Sequence, residues 1–336
     1  MGTPLYQLSN EQLAHVDIAA MNLYCARSLP GAEDVDEDTP GLLAHVDLWS
    51  RHVARRTAER SAEYDADPAR FQHRRAYFLI YALVTTLQDE LGVFYHEYSK
   101  AGESNSASYE PKQADIFFSD SRQSFLHGLL LGKGGTCASL PVMITAIGRR
   151  LGYPLKLVIA GRHVLARWDD PHGERFNIEA PNRGFTPHSD RHYVDWLQPK
   201  TQWPIEPPAY LVSLTPRQEL ALFYDLRADC LFHNGDAYGA KCARQLAVEL
   251  HPECPGYRWC FSRDAHVLAE SHAGRLKYFP IEDSPLSAGR PGYWVCVSPS
   301  DRYVQTWDEL VARRRLLKQF QQLPRQPDPD WELFHV

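Results

Sequence analysis

Three side chains in the middle third of the chain, Cys137, His163 and Glu179, are the residue types of a thiol nucleophile, its base and an orienting acid. A thiol attacks only as thiolate, and a helix N-terminus favours that form because its unpaired N–H groups and the helix dipole stabilise negative charge. Cys137 precedes Leu140, Val142, Met143, Ile147 and Leu151, which share one side of a predicted helix that ends at Gly152 and Pro154, so Cys137 is expected to open that helix. Gly134 and Gly135 leave the backbone before it uncrowded for an approaching amide, and the Cys137 N–H is placed to donate to a developing oxyanion. An imidazole such as that of His163 would take the thiol proton and later protonate a leaving amine, while a carboxylate such as Glu179 holds the ring in the correct tautomer. The chemistry implied is acyl transfer through a thioester.

Two of these residues depend on strands for their position. Leu155 to Ala160, Val164 to Trp168 and Arg175 to Ile178 are short runs rich in Val, Ile, Leu and aromatics, separated by Gly161-Arg162 and by the turn residues Asp169 to Gly173. They read as successive antiparallel strands, with His163 beginning one and Glu179 ending the next. Trp168 and Trp196 are either walls of the cleft or core. Before this sheet the chain reads as helical. Ser9 and Gln12 form a capping-box pair that starts a helix near Glu11, with Leu13, Val16, Ala20 and Leu23 at helical spacing. The acidic stretch Glu33 to Asp38 reads as a loop, Leu42 to Val53 as a second helix and Ala76 to Leu91 as a third. Ala101 to Gln113, rich in Ser, Asn, Glu and Lys, reads as a loop and a candidate lid over the cleft.

After the sheet, Pro199 to Pro208 is a proline-rich linker. Counted from Ala221 over a 34-residue helical hairpin, Ala228, Ala240, Ala247 and Pro252 fall at the small-residue and proline positions of a tetratricopeptide unit. Pro280 to Arg302 is irregular with a strand at Tyr293 to Val297, and Trp307 to Gln322 is a last amphipathic helix. The expected organisation is a helical region over 1–114, a catalytic core over 115–200 and a helical, tetratricopeptide-like region over 201–336.

The stretches GGTCASLPVMITAIGRRLGYPLKLVIAGRHVLARW and RFNIEAPNRGF resemble the core of the transglutaminase-like superfamily. The likeness is strongest to its SirB1-type bacterial branch, which also has a helical N-terminal part and a tail similar to SLTPRQELALFYDLRADCLFHNGDAYGAKCARQLAVELHP. It covers about Asp115 to Tyr257. It implies an α+β, papain-like core with the cysteine at a helix N-terminus packed on a small antiparallel sheet. The family's nucleophile falls on Cys137, its histidine on His163 and its acid on Glu179, where many relatives have aspartate. Gln123, in the polar pair Gln123-Ser124, falls where a second oxyanion donor would sit, with Gly135 and Trp168 as further substrate contacts. The resemblance implies an enzyme acting on amide bonds of a protein or peptide, whether as protease, amidase, deamidase or transglutaminase. Hydrolysis is preferred, because no second site for an amine donor is recognisable. The alternatives are a non-catalytic scaffold that binds a protein partner, with the helical C-terminal region as its contact surface, and a thiol redox sensor.

Composition narrows the field. With 44% hydrophobic residues the 336-residue chain can build sizeable cores. A net charge of −6, with Lys and Arg dispersed among acids, offers no footprint for nucleic acid. Arg313-Arg314-Arg315 reads as one solvated helix face. No apolar run is long enough for a membrane helix, and Met1 to Asn10 lacks the pattern of an export signal. Seven scattered cysteines fit free thiols in a reducing, cytoplasmic setting. Cys230, His233, Cys242 and Cys254 lack the close cysteine pair of a zinc site, and His127 reads as structural. No metal or cofactor is expected, and the calcium site of animal transglutaminases has no counterpart here.

Overall fold

The computed structural model describes residues 3–96, 118–198, 203–279 and 293–296. The capping box forms as expected: the Gln12 N–H donates to Ser9 Oγ at 3.2 Å, and the Ser9 N–H to Gln12 Oε1 at 2.9 Å. The helix it starts is short, however. α1 (Asn10–Leu13) stops, and α2 (Ile18–Ala26) starts afresh because the Asp17 carboxylate accepts from the Ala20 N–H at 3.1 Å, a second N-cap where one continuous helix was expected.

The acidic stretch is not a loop. α3 (Glu33–Glu59) begins inside it, since Glu33, Asp34 and Asp36 suit the positive end of the helix dipole and Val35 is fully buried. The expected irregularity survives as a break at Asp38 (φ −145°, ψ 57°), ahead of Pro40, which has no N–H to give the helix. The helix restarts there with Asp38 Oδ1 accepting from the Gly41 N–H at 2.9 Å. α4 (Ser61–Ala66) and α5 (Arg75–Asp89) complete the N-terminal helices, and α5 buries Phe78, Ile80, Leu83, Val84 and Leu87. α6 (Leu126–Leu130) and α7 (Leu140–Arg150) follow, α7 burying every residue from Leu140 to Gly148.

β1 (Leu155–Ala160), β2 (His163–Asp169) and β3 (Arg175–Ile178) form an antiparallel sheet in that order, with Ala160 opposite His163 and Ala166 opposite Ile178. α8 (Asp190–Leu197) comes next. The chain then runs along the free edge of β1, where the Leu211 N–H donates to Ile159 O and the Leu214 N–H to Leu157 O. α9 (Pro216–His233), α10 (Ala237–Leu250) and α11 (Pro255–His272) are packed consecutively, and β4 (Leu276–Phe279) pairs antiparallel with β5 (Tyr293–Cys296), where a strand was expected. The candidate lid over 101–113 and the helix expected over 307–322, with Arg313 to Arg315, lie outside the described residues.

One cluster of buried apolar side chains extends from Leu13 to Tyr257 and takes in α2, α3, α5, α7, the three-stranded sheet and α9. The small residues Ala228, Ala240 and Ala247 are buried in the helical hairpin of α9 and α10. Beside them lies a buried charge network: Arg244 contacts Asp225, Asp229 and Asp264, and Arg263 contacts Asp264 and Asp229. Removing one member of such a network would strand its partner as an unpaired buried charge, which is strongly destabilising. Among the described residues no helix is long and apolar enough to cross a membrane.

Candidate active site

Cys137 does not itself begin α7, which starts three residues later. It occupies the turn that leads in, where Thr136 O accepts from the Ser139 N–H at 3.2 Å and from the Leu140 N–H at 3.0 Å. Thr136 anchors this turn. Its Oγ1 accepts from the Ala138 N–H at 3.1 Å and donates to Gln123 O at 2.8 Å, while its N–H donates to Ser139 Oγ at 3.0 Å. Cys137 is half-buried, and its own N–H donates to nothing among the described residues, which leaves it available at the positive end of α7.

His163 opens β2 and Glu179 follows β3. Side chains alternate along a strand, and the register puts His163 and Glu179 on the same face of the sheet. His163 Nε2 lies 2.5 Å from Glu179 Oε1, and both side chains are largely buried. The backbone of Glu179 is fixed by two bonds with Thr186, N–H to O in each direction at 3.1 and 2.7 Å. The Cys137 side chain acts on the same imidazole and favours its protonated form. With Nε2 taken by the carboxylate, Nδ1 is the nitrogen left for sulfur. Burial alone would lower the His163 pKa, but the Glu179 charge, the influence of Cys137 and the hydrogen bond to Glu179 outweigh it and hold the imidazole well above its usual value.

The other expected contacts fare differently. Gln123 adjoins the Cys137 turn through its carbonyl, and its half-buried carboxamide makes no hydrogen bond among the described residues. Gly135 does not offer a free backbone to substrate: its N–H donates to Phe94 O and its carbonyl accepts from the His96 N–H, both at 2.9 Å. Its lack of a side chain answers to packing, since a Cβ there would lie 2.6 Å from Leu129 Cδ2. Trp168 is five residues along β2 from His163, an odd number, and so sits on the opposite face, packed against Tyr153 and Phe176. It is core and not a wall of the cleft. Trp196 does approach, its ring edge-on to His163 at 5.1 Å.

The sequence reading missed the residues that hold this face together. Tyr193, on α8, is fully buried, and its hydroxyl donates to Glu179 Oε1 at 3.0 Å. Arg167, two strand alternations from His163 and 1% exposed, donates to Asn177 Oδ1 at 2.6 Å, Leu211 O at 3.0 Å and Asp190 Oδ1 at 2.5 Å. Asn177 in turn donates to His188 O and Asp190 Oδ1. An Arg and an Asn facing the same way on neighbouring strands was the available signal. Tyr193 gave none, because its partner lies across a fold that only the structure supplies.

Residues 55–221 match the family model of the transglutaminase-like superfamily. Cys137, His163 and Glu179 all fall inside this transglutaminase-like stretch, as do Gln123, Arg167 and Tyr193. No curated protein and no solved structure matches the chain significantly.

Outside the transglutaminase-like stretch the remaining candidates do not assemble. Cys230 and Cys254 are buried and Cys242 is exposed, and among the described residues no cluster of His, Cys, Asp and Glu is placed to hold a metal ion. Within the stretch, His127 is wholly buried with Nε2 shared between Ser121 Oγ and Gly31 O, a tie between distant segments.

Proposed function

We propose that the protein is a thiol-dependent acyl-transfer enzyme acting on amide bonds of a protein or peptide, with Cys137 as nucleophile, His163 as base and Glu179 as the acid that orients it. The observation that supports this reading is the buried His163–Glu179 pair, 2.5 Å apart, with Cys137 acting on the same imidazole from the turn that leads into α7. In the first half-reaction the thiol proton passes to His163, sulfur bonds to the amide carbonyl carbon, and the Cys137 N–H with the Gln123 carboxamide receives the oxyanion. The C–N bond then breaks, with the proton on His163 going to the departing amine. Water, deprotonated by the same imidazole, cleaves the thioester and regenerates the thiol. Among the described residues no amine-donor site is recognisable, and hydrolysis is the outcome this reading prefers. Superfamily members include both cysteine-dependent enzymes and non-catalytic proteins, and here all three positions hold workable residues.

The test is product formation from a mixed peptide and glutamine-containing substrate panel followed by mass spectrometry. Wild-type protein is expected to give hydrolysed products and a transient acyl adduct on Cys137, and Cys137→Ala neither. Equal product from both proteins would remove the enzyme reading.

A further inference from the structure

We infer that Tyr193 is a positioning residue for the Glu179–His163 pair, its hydroxyl clamping the longer glutamate side chain in place and moderating its hold on the imidazole. The inference rests on the acyl-transfer reading of the same site.

A glutamate carries one more rotatable bond than an aspartate, so a carboxylate at this position has more freedom to leave the imidazole plane. The bridge to Thr186 fixes only the backbone of Glu179. What fixes the head group is a pair of donors on one oxygen: His163 Nε2 at 2.5 Å and Tyr193 Oη at 3.0 Å, both on Oε1. An ionised carboxylate only accepts, so the tyrosine must donate. The ring contributes too, lying nearly parallel to the imidazole (22°, centroids 6.0 Å apart). Tyr193 cannot drift, because α8 is tied at its start to the sheet through Asp190, Arg167 and Asn177.

Sharing Oε1 has an electrostatic consequence. A hydroxyl that donates to the carboxylate draws off part of its charge, so the imidazolium is held less tightly than a lone glutamate would hold it. Other groups act on the cluster: Cys137 acts on His163; His188, itself beside His192, senses both His163 and Glu179; and Arg167 and Asp190 act on Tyr193. A tyrosine that merely filled space would leave the titration of His163 alone.

The experiment follows the rate of Cys137 alkylation by iodoacetamide against pH, resolved by peptide mass spectrometry, in the full chain. Wild type should give a plateau bounded by an alkaline limb where the imidazolium loses its proton; in His163→Ala that plateau and its limb are lost and only the ordinary ionisation of a thiol is left. Tyr193→Phe keeps the ring and the packing; it should move that limb up by about half to one pH unit, the equivalent of part of a charge-assisted hydrogen bond, and lower the plateau several-fold. In a Glu179→Asp background, whose shorter carboxylate cannot meet both donors, the same substitution should add nothing further. A limb unmoved by Tyr193→Phe, in a variant with wild-type melting behaviour, overturns the inference and spares the enzyme. A wild-type profile indifferent to His163→Ala overturns both.

Discussion

Arg167→Met would test whether the hidden face of the sheet governs the site. The guanidinium is 1% exposed and makes three hydrogen bonds: to Asn177 Oδ1, to Leu211 O and to Asp190 Oδ1. Methionine keeps the apolar stem but leaves these acceptors without their donor. The Asn177 and Leu211 oxygens cost about 1 to 1.5 kcal/mol each when stranded away from water. The Asp190 side chain is 44% exposed and can rehydrate, so its bond counts as an ordinary surface pair of at most about 1 kcal/mol. Relief of the buried charge offsets part of the sum; the same desolvation holds the Arg167 pKa below its normal value. A loss of about 2 to 3 kcal/mol is expected, read as a lower urea midpoint with an unchanged slope. Because Asp190 opens the helix that carries Tyr193 and Trp196, alkylation of Cys137 under native conditions should also slow several-fold, and Asp190→Asn should reproduce the slowing with a smaller stability loss. Full stability loss with unaltered Cys137 reactivity would refute the claim that Arg167 acts on the site through α8.

Glu179→Gln should lower Cys137 alkylation at neutral pH by about 10- to 100-fold, the worth of one buried charge-assisted hydrogen bond, measured against a protein of matched melting temperature. Exposed Cys242 serves as the internal control and should react alike in both proteins. Gly135→Ala should destabilise by about 1 to 3 kcal/mol in urea unfolding, because its Cβ would lie 2.6 Å from Leu129 Cδ2 and 2.9 Å from Ser139 Oγ. His233 is kept neutral by burial, with a pKa lowered to about 4. The unfolded chain therefore takes up a proton near the usual 6.5 that the folded one refuses. The resulting stability is complete above that value and lost as the pH falls from about 6.5 to 4, for a total of about 3 kcal/mol. Melting curves across this window should be flatter for His233→Gln than for wild type. His163 runs the other way: its contribution is complete below about 6.5 and is lost as the pH rises through its raised folded pKa.

The site was legible in part because its chemistry needs particular side chains at particular ends of elements. A cysteine after two glycines, a histidine opening a strand and an acid closing the next are all local features. Trp168 could have been read correctly from strand parity, since an odd separation from His163 settles the face. Gly135 was misread because two reasons for glycine, access and packing, look the same without Phe94 and Leu129 in place. The acidic run at the start of α3 looked unburiable, yet only Val35 had to be buried, while the carboxylates gained from the helix dipole. Arg167 was within reach through its register with Asn177 on the neighbouring strand, whereas Tyr193 was not, because its partner Glu179 meets it only across the folded sheet and helix.

The continuous core has a practical bearing on how the protein can be cut. The matched stretch, 55–221, opens inside α3 and closes inside α9, so a fragment trimmed to those limits would sever two helices and shed α2 entirely. It would also lose Arg227, which donates to the carbonyls of Cys25 and Arg27 and so joins α9 to the end of α2. Dissecting the protein at family limits would strip the sheet's scaffold of its outer helices and expose apolar surface over the whole flank, so workable boundaries have to be drawn around α2 and α11 instead.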